Sequence, residues 1–177
     1  MPKISAFVGH SFLQEDEALV RKFTDFFDQI KKSHDFDWIH ATEPRPDDVA
    51  SKVIDLIDGR NLFIGICTPN ERVAKDNNFN SSIFGNHLKI KKEALQSKTS
   101  DWIIQEIGLA IGRKMKIIIL LQDGVRKPGS LQGNIEYIPF DRNAIEKSFS
   151  GILGMITSLQ GSAVSSKTSS VAQTERT

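Results

Sequence analysis

Ser100-Asp101-Trp102-Ile103-Ile104-Gln105-Glu106-Ile107-Gly108-Leu109-Ala110-Ile111-Gly112-Arg113, followed after Lys114 by Met115-Lys116-Ile117-Ile118-Ile119-Leu120-Leu121, is the stretch that decides the fold. The first part has helical periodicity and the second is the most hydrophobic strand of the chain. Ser100 or Asp101 suits the N-cap, and the helix is expected to run to about Arg113. At about 100° per residue, Trp102, Ile103, Ile104, Ile107, Leu109, Ala110 and Ile111 share one apolar arc. Glu106 falls inside that arc, between Trp102 and Ala110. A bare buried charge is very costly. Either the carboxylate has a structural partner, such as Arg113 or Lys114, or it points into a cleft where charge is useful.

The same alternation extends outward in both directions. Ile4 to Gly9 reads as a buried strand, and a helix from about Glu15 to Lys32 carries Leu19, Phe23, Phe26, Phe27 and Ile30 at helical spacing. Phe36 to Ala41 is a second strand. Glu43-Pro44-Arg45-Pro46 is a rigid loop, because proline fixes φ and pushes the preceding residue out of the helical region. Asp47 or Asp48 then caps a helix with Val49, Val53, Ile54 and Ile57. Asn61 to Thr68 is a continuous apolar strand ended by Pro69. Asn70 to Thr99 breaks the pattern and reads as a long polar segment with a short helix over Lys89 to Glu93. A loop of that length in a compact domain suggests a lid or an interaction segment. After Gln122-Asp123-Gly124, Ile135 to Phe140 is a last strand, weakly paired or at an edge because of Pro139. Asn143 to Leu159 is a final helix with Ile145, Phe149, Ile152 and Ile156.

Strands alternating with helices imply a parallel sheet covered on both faces. Five strands suit the flavodoxin-like order 2-1-3-4-5, whose ligands bind at the carboxyl ends of the strands. Residues 1–160 are expected to form one domain, and 161–177 a disordered Ser/Thr-rich tail or linker.

With 177 residues, 39% of them apolar, 25% charged and a net charge of +1, the composition is that of an ordinary globule. It gives no reason to expect nucleic-acid or anionic-membrane partners. The single cysteine, Cys67, lies in an apolar strand and is expected to be an inert buried thiol. Met1 to Ser11 is too short and polar for a signal peptide, and no apolar run nears the ~20 residues that span a bilayer, so a cytoplasmic location is expected. The four histidines lack metal-ligand spacing, so no metal is expected. There is no G-x-G-x-x-G after a strand and no Walker A loop. Cys67-Thr68 stands where a response-regulator receiver needs aspartate, and Gly9-His10-Ser11 is not a flavodoxin phosphate loop.

Phe7-Val8-Gly9-His10-Ser11 with Glu15-Asp16, Phe36 to Pro46, Gly59-Arg60-Asn61-Leu62 through Thr68-Pro69, and Ser100 to Ile107 form an ordered set across roughly residues 3–158. In that order the chain resembles a Toll/interleukin-1 receptor (TIR) domain, specifically the prokaryotic-type TIR domains that cleave NAD. Ser100-Asp101-Trp102…Glu106-Ile107 matches the segment that holds their catalytic glutamate. The 70–99 insertion is longer than usual, and Ser11 stands where some members carry an arginine.

The resemblance implies that NAD is the substrate, that no cofactor is needed, and that Glu106 is catalytic. The products would be nicotinamide with ADP-ribose or a cyclic or conjugated relative. It also implies a substrate pocket near Gly9, His10, Ser11, Trp38, Thr68 and Trp102. Glu43, Pro44, Arg45 and Pro46 would be the BB loop, which helps complete a neighbour's site in an oligomer or filament. A sensor or effector protein, or a fused domain, would be a further partner, in anti-phage immunity.

The chemistry agrees. The nicotinamide of NAD is already cationic and leaves without a general acid, so one carboxylate stabilising the oxocarbenium-like ribose suffices. Trp38 suits a stacking role or that of a rim aromatic. Trp102 suits packing that positions Glu106, and His10 is either a pocket residue or a hydrogen-bonded structural one. The alternatives are a non-catalytic TIR interaction module and a nucleoside-processing enzyme of similar topology, such as a deoxyribosyltransferase relative.

Overall fold

The computed structural model describes residues 4–41, 49–74, 79–81, 88–90, 94–128 and 135–174; at 49–52, 79–81, 88–90 and 162–174 only the backbone is described. The central sheet has five strands: β1 (Ile4–Gly9), β2 (Phe36–His40), β3 (Leu62–Cys67), β8 (Lys116–Gln122) and β9 (Ile135–Phe140). Their spatial order is β2-β1-β3-β8-β9 and every pairing is parallel, which is the expected 2-1-3-4-5 arrangement. All six residues of β3 are buried, as befits a central strand covered on both faces. Pro139 pairs with Leu121 on β9, an edge strand, where a missing N–H is tolerated.

Strand alternation divides the core. Ala6 and Val8 point toward α1 (Glu17–Ser33) and α4 (Phe149–Thr174), against Phe23, Phe27 and Ile152. Phe7 points the other way, toward α2 (Val49–Ile57) and α3 (Asp101–Gly112), against Ile57, Phe63, Ile103 and Ile107. Phe23 and Phe27 are fully buried, each worth about 2–3 kcal/mol of transfer free energy. Ile54, expected on the apolar face of its helix, is instead 40% exposed. The final helix begins later and ends later than its apolar spacing suggests; a 3₁₀ turn over Ile145–Ser148 precedes α4.

The 70–99 segment is not structureless. β4 (Glu71–Val73) pairs antiparallel with β7 (Gln96–Lys98), and β5 (Phe79–Ser81) pairs antiparallel with β6 (Leu88–Ile90). Lys89 and Ile90 are therefore strand residues, not helical ones. Strands of three residues are too short for alternation to be read from sequence. Asn70 N–H donates to Lys98 O at 2.8 Å and Arg126 N–H to Ser97 O at 2.9 Å, which ties the base of this arm to the body. The loop residues Glu43, Pro44, Arg45 and Pro46, and the capping Asp47 or Asp48, lie outside the described residues, as do Lys91 to Glu93. Among the described residues no helix is long and apolar enough to cross a membrane.

Candidate functional site

Glu106 is brought to the carboxyl edge of the sheet by the start of α3. Ser100 is the N-cap: its backbone is extended, and its Oγ accepts from Ile103 N–H at 3.3 Å. One turn later Glu106 lies on the same buried face as Ile103, Ile107 and Ala110, and it is only 3% exposed. Its carboxyl rests against Gly9, the last residue of β1. A Cβ at Gly9 would overlap Glu106 Oε2 and lie 3.0 Å from Phe63 Cζ, so this close approach requires glycine. In this strand order β1 and β3 flank the topological switch point, where ligands of such sheets bind.

No cation among the described residues pairs with Glu106. Arg113, one expected partner, gives its Nε–H to Asp58 Oδ1 at 2.7 Å, and Lys114 forms no ion pair among the described residues. Lys98 is held by Glu71 and Asp101. Burial therefore pushes the Glu106 carboxyl up to about 8, opposed only by the nearby Trp102 indole. That indole N–H does not reach full hydrogen-bond geometry. Trp102 Nε1, Glu106 Oε2 and Thr99 Oγ1 are all buried and unpartnered among the described residues. Native interiors satisfy nearly all such atoms, so three around one short segment mark a place built for something polar. A hollow of about 150 Å³ opens there, lined by Val53, Ile54, Trp102, Gln105, Glu106 and Leu109. Cys67 is fully buried behind it, and burial pushes its thiol up to about 12, which makes it inert.

His10 and Ser11 border a second, larger cleft on the α1 side, about 690 Å³ in volume. His10 Nδ1 lies 2.9 Å from Ser11 O and its Nε2 lies 2.8 Å from His40 Nδ1. Ser11 Oγ accepts from Leu13 N–H at 3.1 Å, which shapes the loop. Trp38 lines neither hollow. It packs on Phe27 with its Nε1–H donating to Asp28 Oδ1 at 3.0 Å, on the α1 face of β2, so it is a rim aromatic. Thr68 is also committed elsewhere: its Oγ1–H donates to Asp16 Oδ2 at 2.6 Å.

That last bond belongs to a network invisible in the sequence. Asp16 is fully buried and accepts from Arg142 Nη1 at 2.7 Å, while Arg142 Nη2 donates to Glu15 O and Nη1 approaches Gln122 Oε1 at 3.4 Å. It joins the loop after β1 to the ends of β3, β8 and β9. The partners are 126 residues apart, and neither sits in a periodic pattern that would have singled it out. Among the described residues no three His, Cys, Asp or Glu side chains converge to hold a metal.

The chain therefore brings Glu106 and Trp102 together at one hollow, with Gly9 against the carboxyl, sets His10 and Ser11 at another, packs Trp38 against α1 and gives the Thr68 hydroxyl to Asp16. No protein-family profile matches the chain, and no curated protein matches it. Among solved structures it is similar to the CMP N-glycosidase BcmB of Clostridium botulinum, at 16% identity over 84% of this chain and 97% of that one, with a TM-score of 0.48. It is also similar to a protein described as a lipoprotein of Peptoclostridium difficile 630 (a fragment), at 13% identity over 89% of this chain and 98% of that one, with a TM-score of 0.50. At 13% identity the second likeness is one of fold alone.

Proposed function

We propose that this chain is a TIR-type domain that binds NAD and breaks its nicotinamide–ribose bond, with Glu106 as the catalytic carboxylate. The observation that carries this reading is a buried carboxyl with no cation among the described residues, set against Gly9 at the end of β1 and lining an open hollow between α2 and α3. The C1′–N bond breaks with its electron pair going to the cationic ring, which leaves as neutral nicotinamide. The ribose carries the positive charge, and Glu106 stabilises it across a short, water-poor gap. Water or an internal nucleophile then closes the new bond and gives up its proton. In the free chain at pH 7 burial keeps Glu106 mostly protonated; the entering cationic ring favours the carboxylate, and the proton is released to solvent.

A hollow of about 150 Å³ is small beside the roughly 300–1,000 Å³ of ordinary ligand sites. It suits one ring, so the rest of the dinucleotide extends over the strand ends. Self-association and a role in anti-phage defence belong to the same proposal, on the strength of the family resemblance. Trp102 positions Glu106 through its neighbouring indole.

The test is to cluster the protein, incubate it with NAD and identify products by mass spectrometry beside a Glu106→Gln control. Nicotinamide should appear with ADP-ribose or a cyclic or conjugated relative, and the variant should lose at least about 100-fold in rate. If no nicotinamide appears under any clustering condition, the domain is an interaction module. If only deoxynucleoside base exchange appears, it is a transferase.

A further inference from the structure

Trp102, Gln105, Glu106 and Leu109 stand at positions i, i+3, i+4 and i+7 of α3, so they form one stripe of that helix, and Val53 and Ile54 of α2 line the same hollow. This gives Ile54 its place: 40% exposed, it is a wall of the hollow. Val53, Ile54, Leu109 and the Trp102 ring make the walls apolar. Glu106 is buried at the bottom. Gln105, one residue earlier and about 100° round the helix, is exposed at the mouth.

No cation meets this space among the described residues. From α2 the lining is apolar, from β1 the contact is Gly9, and from β3 the neighbour is the inert Cys67 thiol. On α3, Arg113 is tied to Asp58 and Asp101 to Lys98. Burial holds the Glu106 proton to about pH 8, so the bottom of the hollow is neutral below that and negative above it. At no pH does the space offer a positive charge. A carboxylate brought into it would lose water and gain no cation, which is very costly.

Gln105 decides what the mouth can recognise. Its amide donates from one atom and accepts at the other, whereas the Trp102 indole N–H only donates. A carboxamide on a bound ring has the same two functions as Gln105, so the two amides can meet through two hydrogen bonds. A carboxylate only accepts. Whichever way the Gln105 amide turns, one of those bonds becomes a contact between two oxygens.

We propose that Gln105 is the specificity-determining residue of the Glu106 hollow: it pairs with the carboxamide of the ring, so that the site takes nicotinamide compounds and rejects their nicotinate counterparts. That the ring is a pyridine rests on the NAD reading; that it must not carry a carboxylate follows from the hollow itself.

The experiment titrates nicotinamide, nicotinate and 3-methylpyridine, a ring of similar shape with neither group, into the full unclustered chain at pH 7 and follows the indole N–H signals by NMR. Trp102 should respond, and Trp38, which gives its N–H to Asp28, should not. Nicotinamide should bind with a dissociation constant on the order of 1 mM, as suits so small a ligand, and nicotinate at least about tenfold more weakly. Gln105→Leu should weaken nicotinamide about tenfold and leave 3-methylpyridine unchanged. Gln105→Arg supplies a bidentate partner for a carboxylate and should reverse the order of nicotinamide and nicotinate. The position is exposed, so neither substitution disturbs the fold. In the clustered chain, kcat/KM should favour NAD over nicotinic acid adenine dinucleotide by at least about tenfold, and Gln105→Arg should abolish that preference. Nicotinate binding as tightly as nicotinamide overturns the proposal, as does an order of affinities unchanged in Gln105→Arg or a Trp102 signal that ignores nicotinamide. If the rings bind in the expected order while the clustered chain cleaves no dinucleotide, the selectivity stands and the cleavage reading alone is lost. If both dinucleotides are cleaved equally well, cleavage stands and the role of Gln105 is lost.

Discussion

Asp16 and Glu106 are both buried acids at the carboxyl edge of the same sheet, and the fold treats them in opposite ways. Asp16 receives a guanidinium on one oxygen and a threonine hydroxyl on the other. Glu106 receives neither, and keeps its proton to about pH 8 instead. Burying a carboxylate costs several kcal/mol unless a partner offsets it. At Asp16 the offset comes from residues that also knit four strand ends together, so that acid is architecture. At Glu106 nothing offsets it, and the group avoids the cost by staying protonated beside a hollow, which is how an acid held in reserve differs from a brace.

The sharpest way to break this contrast is to remove the charge at each position. Asp16→Asn strands the Arg142 guanidinium and should destabilise the chain by about 3 kcal/mol. That is the low end for a broken buried pair, because the Arg142 side chain is 35% exposed. Glu106→Gln removes an unpaired acid of the same shape and should leave stability at pH 7 unchanged or higher. Urea denaturation of the two variants beside the parent decides it; equal losses would make Glu106 a brace as well.

The second prediction varies pH instead of sequence. The folded chain holds the Glu106 proton up to about 8, whereas a free glutamate gives it up near 4.5. Stability from this group is therefore full below about 4.5 and declines as pH rises toward 8, by up to about 1.4 kcal/mol per unit. The parent should lose stability relative to Glu106→Gln across that window and run parallel to it above. Under the proposed reaction cleavage should change the other way: kcat/KM should climb with pH, reach half its plateau near 8 and level off above it, because the carboxylate would be the working form in the free enzyme. A stability difference that stays flat from pH 5 to 8 would mean that Glu106 is solvated.

Which parts of this contrast could be read from the chain follows from its physics. Glu106 was legible because helical periodicity places it inside an apolar arc, and because Ser100 supplies the cap that sets the register. The sheet order was legible because β1, β3 and β8 are continuous apolar runs between helical ones. Asp16 was not, since its meaning depends on Arg142, and pairing across 126 residues leaves no local mark. The arm over 70–99 was hidden for a related reason: its antiparallel strands are three residues long, too short to show a period. Where Trp38 packs was not legible either, since the bond its N–H gives to Asp28, ten residues earlier on α1, follows no local period.

The smallest predicted effect tests the link between Glu106 and Gly9. A methyl group at Gly9 meets Glu106 Oε2 and, at 3.0 Å, Phe63 Cζ. In the parent, Gly9→Ala should therefore cost about 1–3 kcal/mol and displace the carboxyl from the hollow. In a Glu106→Ala background the carboxyl oxygen is gone and only the ring edge remains, so the same substitution should cost about 1 kcal/mol less. In an Asp16→Asn background its cost should not change, because Asp16 is not among the atoms that the new methyl meets. A Gly9→Ala penalty that is the same in all three backgrounds would show that strand packing, and not the approach of the Glu106 carboxyl, requires glycine at the end of β1.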